Sequence, residues 1–551
     1  MGQFKIIEKE VSDVKGKIHI DQLGYITHMP KKAVCVGTGS SFEIVDIHSD
    51  KIMYAGVLPP FKFDEASGEN VSAADFSSFN LPGEYCIKIG RKRSDTFTIS
   101  DKPYTKFKNT VLKALYLNRC GATDSDYAGD YAHEKCHSAE AMLFENNDIK
   151  SDVSGGWHDS GSYGKYTVTA CTALGHMLYA YKLFPEAFKE KNNIPQGLKD
   201  MPDILCECRT ELEWLLKMQD RDGGVYHKVC TLKPSGFVLP DEDKEQMYIF
   251  PCSHQATANF IAVAALASGI YSEFDSDFAD LLESAAFNGW IWLSNRPEYK
   301  PFFNPPAVKY STVGDYSDEN FGDDLFWAAC ELYSMTGEDI FRKKIFELYR
   351  SVGVTGFVPA NVGGFGALAY ILCSRPKDVE VERSIRLQYR IEADNLTSIS
   401  EKSGYGTALK YDEYGMGSNI TVLTKAMVLI YAYILLKCEN YRNIAEEQLD
   451  YILGKNPMGV CYVTGMGAVP VQNPHHRQSA FDEVDQPVPG MVMTGPNSNR
   501  SDDYARWNIP NNTPPAKCYC DAGFCYSTNE AAINANSAAL FVTAFFEALE
   551  D

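Results

Sequence analysis

The apolar period of this chain changes once, near Pro103, and that change limits the folds open to it. Before it, Lys17-Ile-His-Ile, Ala33-Val-Cys-Val, Phe42-Glu-Ile-Val and Glu84-Tyr-Cys-Ile-Lys-Ile alternate or run in β-branched residues, with Gly, Pro and Asn between them. Residues 1–102 are therefore expected to form a small β-sandwich. After it, apolar residues recur every 3.6 positions. Helices are predicted at 107–118, 167–184, 203–218, 253–270, 277–294, 323–336, 340–352, 363–374, 421–437, 443–454 and 529–549. A number of helices near twelve lets pairs close into a double ring, so residues 103–551 are expected to be an α/α toroid. The intervening stretches 219–250, 375–420 and 455–528 are long for loops, and loops of that length usually carry function.

A chain of 551 residues exceeds one ordinary core, which agrees with two domains. Its net charge of -21 argues against a nucleic-acid partner, since phosphate contacts need a basic face, and is compatible with a neutral, hydroxyl-rich ligand. No apolar run is read as approaching the ~20 residues of a membrane span. The start, Met1-Gly-Gln-Phe-Lys-Ile-Ile-Glu-Lys-Glu, lacks the apolar core of a signal peptide, so a cytoplasmic location is expected; a secreted chain trimmed of its signal would read the same. The sixteen Cys then point to thiols and a metal site before disulfides. The Gly-rich Val36-Gly-Thr-Gly-Ser-Ser lacks the Lys and helix of a phosphate loop and is expected to be a hairpin turn.

Two Gly-flanked, aromatic-rich acid segments stand at opposite ends of the second domain. One is Ser154-Gly-Gly-Trp157-His158-Asp159-Ser160-Gly161-Ser162-Tyr163-Gly164-Lys165-Tyr166; the other is Asp521-Ala-Gly-Phe-Cys-Tyr526-Ser-Thr-Asn-Glu530. Such a pair suits two carboxyl groups facing across a cleft. Thr528 or Asn529 can cap a following helix, placing Glu530 in its first turn, where only burial could raise its pKa. Trp157, Trp327, Tyr504, Trp507 and Tyr526 lie on loops or helix starts near these segments and are candidates to pack against a ligand. Trp214, Trp290 and Trp292 fall within helical stripes and are expected in the core. His475 and Arg477 follow Pro474 and precede a polar loop, positions that suit hydrogen bonds to a hydroxyl-rich ligand. Cys120, His133, Cys136, His137 and His158 offer thiolates and imidazoles for a tetrahedral metal, although their spacing is no finger pattern. Asp315, Asp318, Glu319, Asp323 and Asp324 offer hard oxygen ligands, or a solvated helix start.

Together these segments resemble glycoside hydrolase family 9, the cellulase family built on an (α/α)6 barrel, over nearly the whole chain. The C-terminal segment matches the family's acid signature. Val463-Thr464-Gly465 through Asn473-Pro474-His475-His476-Arg477 is similar to its His signature, with Cys461 where Ser is usual. Pro489-Gly490 and Gly495-Pro496-Asn497 fit the loop that follows. Ile18-His-Ile-Asp-Gln-Leu-Gly24-Tyr25 resembles the Ig-like domain that precedes some catalytic domains of the family.

The resemblance implies an inverting glycoside hydrolase acting on β-1,4-glucosidic bonds of cello-oligosaccharides or soluble β-glucans. Glu530 is then the general acid, with Asp159, Ser162 and His475 at the catalytic centre. Trp157, Tyr163, His475, Arg477, Tyr504, Trp507, Asp521 and Tyr526 become substrate-binding candidates. It also implies a structural zinc on Cys120, Cys136, His137 and His158, and a structural calcium at Asp323 and Asp324, the latter standing where Glu is usual.

One position departs from the family. The upstream motif normally holds two Asp spaced Asp-x-x-Asp, the second being the general base, and here the second position is Ser162. A Ser hydroxyl cannot take the water proton as a carboxylate does. Asp159 can take over the base role, or the chain is an inactivated glucan-binding protein, or an external anion such as phosphate replaces the base. A further alternative within the family is an exo-β-glucosaminidase.

Overall fold

The computed structural model describes residues 17–549, apart from 196, 199 and 309–312. Its first part is a sandwich of two sheets. One orders Ile18–His19, Lys32–Val36, Glu69–Asp75 and Lys62–Asp64. The other orders Tyr25–Ile26, Phe97–Ser100, Gly83–Ile89, Ser41–Asp46 and Ile52–Val57, with Lys92–Arg93 on Gly83–Ile89. Tyr25 meets Phe76 and Phe97 edge-on at 5.1 and 5.3 Å between centroids, filling the space between the sheets. The Gly-rich stretch after Val36 joins strands of different sheets, so it crosses the sandwich and does not close the hairpin expected from sequence.

Among the described residues twelve helices of ten residues or more follow, and they alternate strictly between two kinds. Thr105–Leu117, Asp203–Lys217, Ser276–Ser294, Asp339–Leu348, Val379–Lys402 and Glu439–Ile452 keep polar residues on one face, as outer helices do. Thr167–Leu183, His254–Tyr271, Gly322–Thr336, Gly363–Leu372, Ser418–Leu436 and Ile533–Glu547 are buried nearly all round. These six form the inner ring, which runs from Thr167–Leu183 through the next three and returns where Ser418–Leu436 packs on Ile533–Glu547 and the latter on Thr167–Leu183. This is an (α/α)6 barrel.

Three expectations from sequence are corrected. Val379–Lys402 lies in a stretch read as loop; its stripe of Val381, Ile385, Tyr389, Ala393 and Leu396 is buried, while Val379, Leu387 and Ile391 are apolar but exposed, so the apolar period is blurred. The last helix begins at Ile533 instead of 529. Ser418–Leu436 is long and apolar enough by composition to span a membrane, at a mean hydropathy of 1.7, and here its apolar surface lies in the inner ring.

Polar groups join the sandwich to the barrel. Gln22 donates from its backbone to the Leu453 carbonyl and from its side chain to the Gly459 carbonyl, both at 3.0 Å, and accepts from Val469 N–H at 2.8 Å. Asp21 accepts from Tyr104 at 3.2 Å. Nearby, the buried Lys455 ammonium bonds Glu447, which also pairs with Lys32 of the sandwich at 3.0 Å, and Asp450 at 2.5 Å. Burial raises the pKa of Asp21, with the Asp450 charge adding to it, while Lys455 rises because the two carboxylates outweigh its own desolvation. Removing the one buried cation from this group strands its carboxylates. Lys455→Met should therefore cost about 3–5 kcal/mol, measured as a lowered urea midpoint at unchanged m-value; a loss below about 1 kcal/mol would show that the junction does not depend on this charge.

Candidate active site

Four stretches distant in sequence meet at one mouth of the barrel. Glu530 does not sit in a helical first turn. It follows a single turn, Tyr526–Asn529, in extended conformation, and its backbone pairs with neighbours on both sides: its carbonyl accepts from Thr494 N–H at 3.0 Å, and the residue lies in a bridge with His475. Ala531 bridges Met493, Ala532 bridges Ser160, and Ile533 N–H donates to the Asp159 carbonyl at 3.0 Å. Backbone pairing to the Asp159 and Thr494 segments holds 530–532 extended and delays the helix to Ile533. Gly161 completes the junction: a Cβ there would overlap the His475 carbonyl oxygen, and its own carbonyl accepts from the Arg477 backbone at 3.2 Å and guanidinium at 2.7 Å.

The two carboxyl groups are tuned by burial. Burial pushes Glu530 up to about 7, opposed by the Ser160 hydroxyl, reinforced by the Asp159 charge and opposed again by Arg477. Burial also pushes Asp159 up to about 6, against two donors that favour its charged form, Thr169 on Oδ1 and the Tyr316 hydroxyl on Oδ2 at 2.9 Å. Each Asp159 oxygen keeps a second lone pair. Ser162 is half-buried, and among the described residues its hydroxyl has no hydrogen-bond partner. His475 donates from Nδ1 to the Gly523 carbonyl at 2.5 Å, and burial lowers its pKa to about 4. The ring is therefore neutral at pH 7, with Nε2 left as an acceptor.

Sequence reasoning missed Tyr316 and Thr169. Tyr316 has φ of +46°, a left-handed conformation unusual for an aromatic residue. It is held there by its neighbours, since His227 donates to the Asp315 carbonyl and Lys228 to the Gly314 carbonyl, each at 2.7 Å. Nothing in the sequence of that loop distinguishes this Tyr from the others. Thr169 stands one helical turn into Thr167–Leu183, ten residues past Asp159, where its role follows only from the fold.

Several predicted sugar contacts have other roles. Trp157 is 1% exposed, its indole N–H is bonded to Glu207 at 2.7 Å and its backbone N–H to Glu211 at 2.6 Å, so neither ring face is open to a sugar. Trp327 is buried on Glu331. Tyr163 is buried, donates to the Val238 carbonyl at 2.6 Å and lies against the rings of His137 and His158. Asp521 accepts from the backbone of Gln472 and Asn473, each at 2.8 Å, and from Asn529 at 3.2 Å, which fastens the acid segment to the His segment. Arg477 braces Gly161 and the Ser235 carbonyl from a buried position. Tyr526 lies beside His475 at 5.9 Å between centroids, half-buried; Tyr504 is half-buried beside Phe524, and Trp507 is 80% exposed. Trp214 and Trp292 are buried and Trp290 is packed against the core, as their helical stripes predict.

Two side-chain groups could hold cations. Ligand atoms of Cys120, Cys136, His137 and His158 all lie within 4.8 Å of one another. Two thiols and two imidazoles suit a closed tetrahedral site, and His137 Nε2 faces Asp243 at 3.4 Å, the outer carboxylate that commonly orients a metal-bound His. Asp318, Asp323 and Asp324 form the second group, and each has a buried carboxylate oxygen without a partner among the described residues. Three such oxygens aimed together are the donor set of a hard cation.

A double ring of helices whose mouth brings a carboxylic acid near neutrality beside a second buried carboxyl group defines a glycoside hydrolase. The chain matches the family described as glycosyl hydrolase family 9 over residues 104–543 and the cellulase N-terminal Ig-like domain over 13–94. It is 35% identical over 544 residues to a cellodextrinase of Butyrivibrio fibrisolvens, covering 95% of this chain and 98% of that relative. A solved structure of AaCel9A in complex with cellobiose-like isofagomine superposes with a TM-score of 0.91 at 32% identity, covering 96% of this chain and 99% of that one. A Zn-binding triple mutant of the family 9 endoglucanase J30 superposes with a TM-score of 0.90 at 32% identity, covering 95% and 99%. The chain belongs to glycoside hydrolase family 9, with an Ig-like domain at its start.

The approach of Gly161 to His475 tests the junction directly. Both groups are backbone, so Gly161→Ala cannot be relieved by a rotamer change and should cost about 3 kcal/mol or more in urea unfolding. An unchanged midpoint would show that the 159–161 segment moves freely from its partner.

Proposed function

We propose that this protein hydrolyses β-1,4-glucosidic bonds in cello-oligosaccharides and soluble β-glucans with inversion, Glu530 acting as general acid and Asp159 as general base. The observation that carries the reading is the meeting at the barrel mouth of half-buried Glu530 and buried Asp159, whose carboxyl groups are pushed up to about 7 and about 6. The names of the relatives, a cellodextrinase and a structure bound to a cellobiose-like compound, support the substrate class. Between pH 6 and 7 the acid is largely protonated and the base largely ionised, the state inversion needs. Glu530 delivers its proton to the leaving glycosidic oxygen. Asp159, oriented by Thr169 and Tyr316, accepts the proton of a water attacking the opposite face of the sugar. Neutral His475 accepts from a sugar hydroxyl at Nε2.

The sign of the pH dependence follows from the two roles. The rate should rise as Asp159 ionises through about 6 and fall as Glu530 deprotonates through about 7, giving a narrow bell in kcat/KM. A flat profile from pH 5 to 8 would remove this pair from catalysis.

Turnover of cellotetraose decides whether Asp159 suffices. We expect measurable cleavage by the chain as written, its loss in Glu530→Gln, and a gain of about 10²-fold in Ser162→Asp, within the span attributed to a positioned base. No product over hours, with Ser162→Asp active, would make this chain a glucan-binding protein. Cleavage that needs phosphate and yields a sugar 1-phosphate would make it a phosphorylase.

We assign zinc to Cys120, Cys136, His137 and His158, and calcium to the Asp318, Asp323 and Asp324 group. Zinc there would be a structural cross-link fixing the backbone of His158, the residue before Asp159, and not a Lewis acid. Protein purified without added metal should carry about one zinc per chain by elemental analysis and lose thermal stability on chelation; well under one zinc would count against the assignment.

A further inference from the structure

The acid segment is bracketed by two thiols that the chemistry above does not use. Cys520 precedes Asp521, and Cys525 follows Gly523 and Phe524. Of the sixteen cysteines, all free thiols, only Cys252, Cys438 and Cys520 are not buried.

Cys520 and Cys525 face each other across a turn that backbone already closes. Ala522 N–H donates to the Cys520 carbonyl at 3.0 Å, and Cys525 N–H donates to the Ala522 carbonyl at 2.9 Å. The Thr528 hydroxyl accepts from Cys520 N–H at 3.3 Å and lies 3.1 Å from Cys525 Sγ, so one side chain holds both ends. Across the turn the Cys525 thiol donates to the Cys520 sulfur. Cys518, the third cysteine nearby, is turned away: its Sγ donates to the Thr513 and Pro514 carbonyls, each at 3.5 Å.

The two thiols are unequal. The hydrogen bond from Cys525 pulls Cys520 below the ordinary thiol range, against burial and the charges of Asp521 and Asp502. The same bond, with burial, pushes Cys525 up. A half-buried sulfur with thiolate character beside a buried, protonated one is arranged for the first to attack and the second to resolve. The turn between them also serves the catalytic centre. Asp521 accepts from Gln472 and Asn473, and the Gly523 carbonyl fixes His475 Nδ1.

We propose that Cys520 and Cys525 are a thiol–disulfide modification site, oxidised by a low-molecular-weight disulfide, and that the bond formed fastens the turn carrying Asp521 and Gly523. The Cys520 thiolate attacks one sulfur of the small disulfide and expels the other half as a thiolate. Cys525 then loses its proton and attacks Cys520 Sγ, forming the Cys520–Cys525 bond and expelling the second half. The protein gives up two electrons and two protons, and the small disulfide takes both to leave as two thiols.

Folded protein treated with oxidised glutathione and mapped by peptide mass should show a Cys520–Cys525 link that dithiothreitol reverses. Cys525→Ser should stop one step earlier, with glutathione held on Cys520, and Cys520→Ser should leave Cys525 unmodified. In the oxidised, unaltered chain, hydrogen exchange of the 520–525 backbone should slow about tenfold. Cys520 left unreacted, or linked to Cys518, would overturn the site. A link that forms while exchange stays unchanged would overturn the fastening. Mapping of the unaltered chain decides the matter even where a variant does not fold.

Discussion

The backbone of Gly161 lies where any side chain would strike the His475 carbonyl, and the register of the Asp159 segment against the Glu530 and His475 segments depends on that approach. It lets the Gly161 carbonyl accept twice from Arg477 and lets Ser160 bridge Ala532. Through those bonds the segment bearing Asp159 is registered against the segment bearing Glu530, although the two are 371 positions apart in the sequence. The inner ring brings them near one another, because Ile533–Glu547 packs on Thr167–Leu183 directly below the two segments. Helix packing alone leaves freedom in where a carboxyl group points. The backbone pairing at the mouth removes it.

How much of this is legible in sequence depends on what kind of information the feature needs. The inner helices are apolar all round, so five of the six announce themselves as long helical runs, and the sixth, Ile533–Glu547, is displaced only at its start. Its start is misread because Thr528 and Asn529 look like caps; Asn529 instead uses its side chain on the Asn473 carbonyl and Asp521, which no local pattern reveals. Val379–Lys402 is missed for another reason: exposed Val379, Leu387 and Ile391 blur the apolar period of its buried stripe. At the site, residue type and motif spacing mark Glu530, Asp159 and His475. They cannot separate a Trp that receives a sugar from one that holds up a loop, and Trp157 is the second kind because Glu207 and Glu211 take both its donors.

In the proposed mechanism Asp159 and Glu530 have opposite duties, and buried Arg477 acts on Glu530 alone of the two. Desolvation raises both, and the difference comes from what each is bonded to. Asp159 faces two hydroxyl donors, which stabilise its charge; Glu530 faces the Ser160 hydroxyl and Arg477, which favour its charged form, and the charge of Asp159, which favours its proton. Ionising Asp159 therefore strengthens the hold of Glu530 on its proton, which is the state the proposed mechanism uses. In this arrangement a side chain at position 162 is not required to make Glu530 an acid. In the proposed mechanism Ser162 offers no carboxylate to the water, so the demand for proton acceptance falls on Asp159.

The four-residue thiol and imidazole group belongs to the same construction, because it touches the site through two routes. One is covalent, through His158 to Asp159. The other runs from His137 to Asp243, through the Ser235 hydroxyl, and from the Ser235 carbonyl to the guanidinium of Arg477, which ends on Gly161. Both routes finish on the same short segment, one at each side of Ser160. A cation bound there would make the two routes arms of one rigid brace, and it would fix the stretch at Ser235 along with the carboxylate. Its effect on catalysis would then come through geometry. Loosening the brace should disturb the alignment of Asp159 and Glu530 without changing the chemistry that either can perform.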